Sequence, residues 1–316
     1  MEHGPDAARA RRGAGDRSDR VAATGRGRQG GAGIPTRQVA AGVELLSPGL
    51  EDFHAKAVTI DADGVLHRGQ RVLPGALELL RRLDERGIPW RIVTNNSRQT
   101  AATAAAHYRD LGLPIRDANV VTAADAMASY IVQHHVGSGP PRVYPVGDRD
   151  QRATLQAAGC RLTEDDSRAE WVAVGVNRWL TFRRLFHACN AVRRGAVFVV
   201  ANLDPTVPTE DGAIPGAGAL AAAIQVATGR EPINIGKPAP ELMLQALGQM
   251  GCAPVESIHL GDRLDSDVLG ARRAGMVAAL VTTGDHTLED ALALEESERP
   301  HLVASDLPPL MEWLFR

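Results

Sequence analysis

Cysteine is scarce in this sequence, and its spacing excludes a zinc site built on thiolates. The three cysteines, Cys160, Cys189 and Cys252, are far apart and form neither a CxxC pair nor a cluster with histidine. Cysteines used this sparingly indicate a reducing compartment and argue against structural zinc. We therefore expect a cytoplasmic protein.

Long apolar runs and a strong net charge are also missing. No apolar stretch reaches 18 residues, so no membrane span is expected. The hydrophobic fraction of 44% is typical of a globular protein, and 316 residues suffice for one large domain or two ordinary ones. The formal net charge of −3 says little about partners, and we expect neither a membrane nor nucleic acid among them.

Large apolar side chains are almost absent from the first 40 residues. This stretch holds eight arginines, four acidic residues and eight glycines. Such a composition cannot bury enough surface to offset the entropy of ordering, so we expect residues 1–45 to form a disordered Arg/Gly-rich tail. An extension without function is the plainest interpretation of this tail; a weak RNA- or partner-binding arm and a targeting peptide are the alternatives.

Short β-rich runs alternate with helical periodicity from residue 55 onward. The run AVTI (57–60) predicts a strand, PGALELLRRLDERG (74–87) a helix that begins with Pro and ends with Gly, and WRIVT (90–94) a second strand. The end of the chain continues the alternation with strand 257–260 and helix 266–274. This order predicts an α/β fold with a parallel sheet and helices on its faces.

A second α/β stretch separates these two halves of the chain. Its predicted strands are 142–146, 170–175 and 196–201. We expect a core built from residues 50–136 and 232–316, interrupted by an inserted domain at 137–231.

Side chains suited to chemistry occur in four segments, three of which follow directly after a predicted strand. These are Asp61 and Asp63 after strand 57–60, TNNSR (94–98) after strand 90–93, GDRLDSD (261–267) after strand 257–260, and IGKPAP, with Lys237 just ahead of a helix. Ligands bind at the carboxyl ends of the strands in an open parallel sheet, so we expect all four segments on one rim. Each segment alone is also explained as a turn, a helix cap or an exposed residue. Their order and shared position favour a site.

This rim would carry an excess of negative charge. Its four acids, Asp61, Asp63, Asp262 and Asp267, face a single lysine. Two like charges about 4 Å apart repel by about 4 kcal/mol at an effective dielectric constant of about 20. A hard divalent cation removes that cost, and carboxylates without His or Cys suit Mg²⁺. Mg²⁺, a lysine and hydroxyl or amide donors together are typical of a phosphate site.

The segments DADGVL, TNNS, GKPAP and GDRLDSD resemble the four motifs of the haloacid dehalogenase (HAD) superfamily phosphatases. The stretch ANLDPTVPTEDGAIPGAGAL (201–220) is similar to subclass IIA, which includes NagD-like and p-nitrophenyl-phosphatase-like enzymes. The resemblance covers about residues 50–316. It implies a Rossmann-like core with a parallel sheet and an inserted type-2 α/β cap. The departures from the motifs, at Ala62, Ser266 and His67, do not carry the chemistry.

The resemblance also implies roles for individual residues. Asp61 would be the nucleophile that forms an aspartyl-phosphate, and Asp63 would protonate the leaving alcohol and then activate water. Lys237 would neutralise the charge of the phosphoryl group. The implied metal-binding residues are Asp61, Asp63 through its backbone carbonyl, Asp262, and Asp267 from a more remote position. The implied substrate-binding residues are Thr94, Asn95, Asn96, Ser97, Arg98 and Asp204.

We therefore expect a Mg²⁺-dependent phosphatase that hydrolyses a small phosphomonoester through an aspartyl-phosphate. A phosphatase directed at sugar phosphates or nucleotides is an alternative, as is a non-catalytic partner-binding protein on this fold. The expected partner is a small phosphorylated metabolite. A homodimer through the cap is an option that the resemblance leaves open.

Overall fold

The computed structural model of the protein describes residues 37–209 and 212–316. Its strands are β1 Arg37–Ala40, β2 Val43–Leu45, β3 Ala57–Ile60, β4 His67–Arg68, β5 Arg71–Val72, β6 Trp90–Thr94, β7 Val120–Thr122, β8 Arg142–Pro145, β9 Arg161–Leu162, β10 Trp171–Val174, β11 Val197–Val200, β12 Thr206–Thr209, β13 Gly212–Pro215, β14 Ile233–Asn234, β15 Ser257–Gly261, β16 Val277–Val281 and β17 Leu302–Ala304. Its helices are α1 Ala76–Glu85, α2 Ala101–Asp110, α3 Ala123–His134, α4 Arg149–Ala157, α5 Phe182–Arg193, α6 Ala217–Thr228, α7 Glu241–Met250, α8 Leu269–Arg273, α9 Leu288–Ala293 and α10 Leu307–Leu314. Among the described residues, no helix combines the length and apolarity needed to cross a membrane.

Eight strands form one sheet in the order β1-β2-β17-β16-β15-β3-β6-β7. The six strands from β17 to β7 run parallel. From β3 the chain proceeds outward to β6 and β7, and from β15 it proceeds to the other side, to β16 and β17. The topology therefore reverses between β3 and β15, which is where α/β sheets of this kind bind ligands.

Both faces of this sheet are covered, because successive side chains of a strand point to opposite faces. Val58 and Ile60 of β3 pack in one apolar core with residues of α1 and α10. Ala57 packs on the opposite face with Met243 and Leu247 of α7. Strands buried on both faces are the expected partners of helices in a parallel sheet, and they fix the loops at the carboxyl ends of β3 and β15.

Five further strands form a separate parallel sheet in the order β14-β11-β10-β8-β9. They lie between Arg142 and Asn234 and so come from the stretch that the sequence predicts as an insertion. The last of them, β14, lies beyond the expected boundary at residue 231. The division into a core (50–136 and 232–316) and an inserted cap (137–231) otherwise stays a prediction.

The expectation of a disordered tail over residues 1–45 is wrong for residues 37–45. These residues form the hairpin β1–β2, and β2 pairs antiparallel with β17. Val43 and Leu45 are buried in the main core. Composition could not reveal this hairpin, because its pairing partner lies near the other end of the chain. The remainder of the expected tail, residues 1–36, lies outside the described residues.

Candidate active site

The four predicted segments meet at the carboxyl edge of the large sheet. Asp61 follows β3, Thr94 ends β6, Asp262 follows β15, and Lys237 lies between β14 and α7. They line one cavity of about 1250 Å³, whose other wall comes from residues 202–207 of the inserted stretch. The sequence-based expectation of a shared rim is therefore confirmed by geometry.

Lys237 is the centre of the site. Its side chain is 3% exposed, and its Nζ donates to Asp61 Oδ1, to Asp267 Oδ1 at 2.6 Å and to the Val93 carbonyl at 3.3 Å. Burial opposes the charged form, but Asp267 and Asp61 outweigh it and raise the pKa of Lys237 above its ordinary value. One buried ammonium thus links two buried carboxylates.

The backbone of Lys237 is held separately by Asn95. The Asn95 Oδ1 accepts from the Lys237 N–H at 2.8 Å, and the Asn95 Nδ2 donates to the Lys237 carbonyl at 3.1 Å. Asn95 lines the cavity, but its amide group is occupied in positioning the lysine. Its expected role as a substrate contact stays a prediction.

Three carboxylates lie close enough to share a cation. One oxygen each from Asp61, Asp262 and Asp267 lie within 4.8 Å of one another. No histidine or cysteine belongs to this group, and oxygen-only ligands fit Mg²⁺. Asp267 is the least available of the three, because Lys237 occupies its Oδ1 and the Arg263 N–H donates to its Oδ2 at 3.2 Å. Asp61 and Asp262 therefore fit direct ligands better than Asp267 does.

The acids differ in charge state because their surroundings differ. Burial raises the pKa of Asp61, helped by Asp267 and Asp262 and opposed by Lys237. Burial and the Asp267 charge raise the pKa of Asp262 to about 7. Burial acts on Asp267 in the same sense, but Lys237 and His259 overcome it and lower the pKa of Asp267. Without a cation, Asp267 is the acid whose charge is best balanced.

The backbone packs closely around two of these acids, Asp267 and Asp262. The helix predicted at 266–274 is in fact a π-helical turn, Leu264–Val268, followed by α8, and the turn places Asp267 under the sheet edge. At Gly64, where φ is +84°, a Cβ atom would lie 2.2 Å from Asp262 Oδ2. Only glycine permits this positive φ and this close approach without strain, so the loop after β3 rests directly on the Asp262 carboxylate.

Asp63 stands apart from this cluster. Its side chain is 76% exposed, and its nearest charged or ionisable partner is the His67 ring, with 3.9 Å between Oδ1 and Nδ1. It faces the same cavity as Asp61. Its carboxylate is therefore free to exchange protons with a bound molecule, and any contribution to a metal site would come from its backbone.

The other predicted substrate residues of the core lie at different depths. Thr94 Oγ1 accepts from the Asn96 N–H at 3.1 Å, and the Asn96 side chain bonds Gln99 and the Arg98 N–H. Ser97 is buried, and its hydroxyl has no partner among the described residues. Arg98 lines the cavity, and its charge also acts on Asp148 of the inserted stretch. Arg98 is the better placed of these to meet a substrate.

Asp204 reaches the cavity from the inserted stretch. Burial raises its pKa, while Asn95 and Lys237 oppose the shift. Its loop is tied to the core through Asn202, whose Nδ2 donates to the Asn95 carbonyl and whose Oδ1 accepts from the Asp204 N–H at 3.2 Å. The first turn of α6 packs on this loop, since a Cβ at Gly216 would lie 2.1 Å from the Asp204 carbonyl. The structure thus brings Asp204 to the site, as expected.

Several residues of the site were not singled out from the sequence. Tyr108 on α2 is buried against the cavity, where burial and Asp61 raise the pKa of its hydroxyl. Asn202 ties the loop to Asn95, and His259 bonds Asp267. For Tyr108 and Asn202 no local pattern gives a signal. His259 is an ionisable residue between the apolar Ile258 and Leu260 of a buried strand, which is a usable signal.

Comparison with known proteins identifies the family. Residues 58–161 match a family described as haloacid dehalogenase-like hydrolase, and residues 234–310 match one described as HAD-hydrolase-like. The chain is 37% identical to mouse Chronophin over 273 residues, which cover 82% of this chain and 93% of Chronophin. The chain belongs to the haloacid dehalogenase-like hydrolases.

Solved structures of HAD hydrolases support the same assignment. NagD from Escherichia coli K-12 superposes with a TM-score of 0.74 at 30% identity, covering 80% of this chain and 97% of NagD. Glycerol phosphate phosphatase from Mycobacterium tuberculosis, solved with magnesium, gives a TM-score of 0.74 at 34% identity, covering 81% and 77% respectively. The expected NagD-like group, the α/β HAD fold with a cap, and the enzyme class, a HAD phosphatase, are confirmed.

Proposed function

We propose that this protein is a Mg²⁺-dependent phosphomonoesterase in which Asp61 attacks phosphorus and Asp63 handles protons. The observation that carries the proposal is the contrast between the two aspartates. Asp61 is held by a buried ammonium within a group of three carboxylates, whereas Asp63 is exposed to the same cavity and free of that group.

The two carboxylates divide the reaction into two displacements. In the first, an Asp61 oxygen forms a bond to phosphorus while the bond from phosphorus to the alcohol oxygen breaks, and Asp63 gives its proton to the alcohol. In the second, Asp63 takes a proton from water, the water oxygen attacks phosphorus, and the bond to Asp61 breaks. Phosphate leaves, and both residues return to their starting state.

The remaining charged groups stabilise this chemistry. Lys237 neutralises charge that develops on the phosphoryl oxygens, and it remains anchored to Asp267 while Asp61 reacts. The hydroxyl of Thr94 lies on the cavity wall within reach of a bound phosphoryl group. Mg²⁺ held by Asp61, Asp262 and the backbone of Asp63 would offset the excess of carboxylate charge and polarise the phosphoryl oxygens.

The substrate is proposed to be a small phosphorylated metabolite. The loop over the cavity, residues 202–207, offers one acid, Asp204, among small or apolar groups. Arg98 adds a cation on the core side. A glycerol phosphate or sugar phosphate fits this mixture, in line with the glycerol phosphate phosphatase among the structural relatives.

Two substitutions test the division of roles. Asp61→Asn removes the nucleophile, so no phosphoryl-enzyme should form and activity should vanish with every substrate. Asp63→Asn keeps the nucleophile but loses proton transfer, an effect of roughly 10²–10⁴-fold. Because p-nitrophenolate leaves without protonation, Asp63→Asn should release about one equivalent of nitrophenol in a burst and then turn over slowly.

Intact-protein mass spectrometry after an acid quench identifies the intermediate. The Asp63→Asn protein should carry one added phosphoryl group, and the Asp61→Asn protein none. If Asp61→Asn stays active while Asp63→Asn shows neither burst nor adduct, the two roles are wrong.

We also propose a homodimer through the inserted stretch. Trp179 and Phe182 are 86% and 83% exposed, and Phe186 is exposed one turn after Phe182 on α5. Exposed aromatic side chains are enriched in interfaces relative to the rest of the surface. Light scattering of the wild type should report a dimer and Phe182→Glu a monomer. Val226→Glu, at an exposed position on α6, is the control and should leave the dimer intact; a monomeric wild type would overturn the proposal.

A further inference from the structure

A buried histidine connects the large sheet to the active site. His259 lies in the middle of β15, is 1% exposed, and stands opposite Thr59 of β3 in the strand register. Its Nε2 lies 3.2 Å from Asp267 Oδ1, and its Nδ1 lies 2.9 Å from Thr59 Oγ1. Both ring nitrogens therefore have partners, although neither His259 nor Thr59 touches the cavity.

The direction of these hydrogen bonds follows from Asp267. This carboxylate accepts from Lys237 Nζ and from the Arg263 N–H, so it is an acceptor toward His259 as well, and Nε2 carries the hydrogen. The Thr59 hydroxyl is a donor toward the other ring nitrogen, so Nδ1 needs no hydrogen of its own. A neutral ring protonated at Nε2 has a lone pair on Nδ1, so the Thr59 hydroxyl donates to Nδ1.

The chain of bonds then runs from Thr59 through His259 to Asp267, where it meets Lys237. Lys237 has two carboxylate anchors, Asp61 and Asp267. Asp61 turns its oxygen to phosphorus during the reaction, so Asp267 is then the only carboxylate that holds the ammonium, beside the neutral Val93 carbonyl. The orientation of the Asp267 carboxylate consequently decides where Nζ stands at the moment when charge develops.

We propose that His259, oriented by Thr59, is a positioning residue for Lys237: its Nε2–H fixes the Asp267 carboxylate that keeps the ammonium beside the reacting phosphoryl group. This inference rests on the proposed function, since it concerns the same lysine. It assigns to a residue outside the four motifs an effect on turnover, with little effect on substrate binding.

Three variants test this role by kinetics. His259→Met fills the space without a donor, and kcat should fall by about tenfold to a hundredfold, the loss expected for one hydrogen bond to a charged group. KM should stay within about threefold, because only the reacting state is affected. His259→Gln places an amide N–H near the position of Nε2 and should recover most of the loss. Thr59→Val should fall between these two.

Matched controls separate positioning from simple destabilisation. Ser257 is also buried in β15, and its hydroxyl donates to the Ala253 carbonyl at 2.8 Å, away from Lys237. Ser257→Ala should lower the melting temperature and leave kcat unchanged. His301, which accepts from the Ala278 N–H at 2.9 Å, serves likewise as His301→Gln for the loss of a histidine elsewhere.

A spectroscopic measurement decides the matter independently of activity. In ¹⁵N NMR of the metal-free wild type, the His259 ring should show the tautomer protonated at Nε2, and Thr59→Val should shift the ring toward a mixture of tautomers. Protonation at Nδ1 alone in the wild type would overturn the inference. So would wild-type kcat in His259→Met, or an equal loss in His259→Met and His259→Gln. If the wild type hydrolyses no phosphomonoester, the proposed function fails, but the spectrum still tests the hydrogen-bond pattern of His259. If His259→Met does not fold, His259→Gln and the wild-type spectrum still test the positioning role.

Discussion

Lys237→Met should turn the centre of the active site from a balanced group into a repulsive one. The lysine is the buried cation that touches both Asp61 and Asp267. Their carboxylate oxygens lie within 4.8 Å of each other, and two unit charges at that distance repel by about 3.5 kcal/mol at an effective dielectric constant of about 20. Removing one partner of a buried ion pair costs about 3–5 kcal/mol in measured cases. We therefore expect the free energy of unfolding to fall by about that amount.

The loss of unfolding free energy in Lys237→Met should depend on pH in a defined direction. In the wild type Lys237 lowers the pKa of Asp267, so this group contributes stability above the ordinary carboxyl range and loses it in acid. In Lys237→Met this counter-charge is lost, so the pKa of Asp61, which burial already raises in the wild type, rises further, and Lys237 no longer lowers the pKa of Asp267. The folded variant therefore binds more protons than the folded wild type. Stability then falls as pH rises toward the raised pKa, so the difference from wild type should widen from about pH 5 to about pH 8.

Urea unfolding of the chelated proteins at these two pH values measures both effects. Lys56→Met is the matched control, because Lys56 is an exposed lysine paired with Glu256 at 2.5 Å, and surface pairs contribute little. If both variants lose the same small amount at both pH values, Lys237 does not balance the buried acids and the electrostatic argument fails.

Three further outcomes follow from the site and the sheet edge. Ca²⁺ should not replace Mg²⁺ in turnover after chelation, because it takes more ligands at longer distances and can capture both Asp61 oxygens; equal rates would contradict nucleophilic attack by Asp61. Asp262→Asn should raise the melting temperature of the metal-free protein at about pH 8, because it removes the charge of a buried carboxyl whose pKa is about 7. It should also abolish the increase in melting temperature that Mg²⁺ causes in the wild type; a retained increase would exclude Asp262 as a ligand. A protein starting at residue 37 should match the full chain in turnover and melting temperature, whereas one starting at residue 46 should melt lower, because it lacks the buried Val43 and Leu45; equal melting of both would show that the hairpin adds nothing.

Local patterns predicted the elements that carry the motifs. The runs AVTI and WRIVT coincide with β3 and β6, because apolar and β-branched residues bounded by turns are typical of buried strands. The order of strands and helices predicted a parallel sheet, and such sheets bring strand ends together. The positions of Asp61, Thr94 and Asp262 on one rim followed from those two facts, whereas Lys237 stands ahead of a helix and not after a predicted strand.

Contacts between distant parts of the chain were not predictable in this way. The prediction of a tail over residues 1–45 includes the hairpin β1–β2, whose burial is completed by β17 near the other end of the chain. Asn95 was expected to meet the substrate, yet its side chain bonds the backbone of Lys237, which is far away in sequence. In both cases the deciding partner is absent from the local window.

Polar residues inside the buried strands predict hydrogen-bond partners that lie elsewhere in the chain. Thr59 interrupts the apolar run of β3, and His259 interrupts that of β15. A buried polar side chain lowers stability unless it forms a hydrogen bond. A polar residue in a fully buried strand therefore predicts a hydrogen-bond partner, even when the sequence does not show which residue it is. The two departures lie opposite each other in register and together reach Asp267. Conflicts between a residue and its strand are expected where function requires them, and here they lie directly beneath the only buried lysine among the described residues.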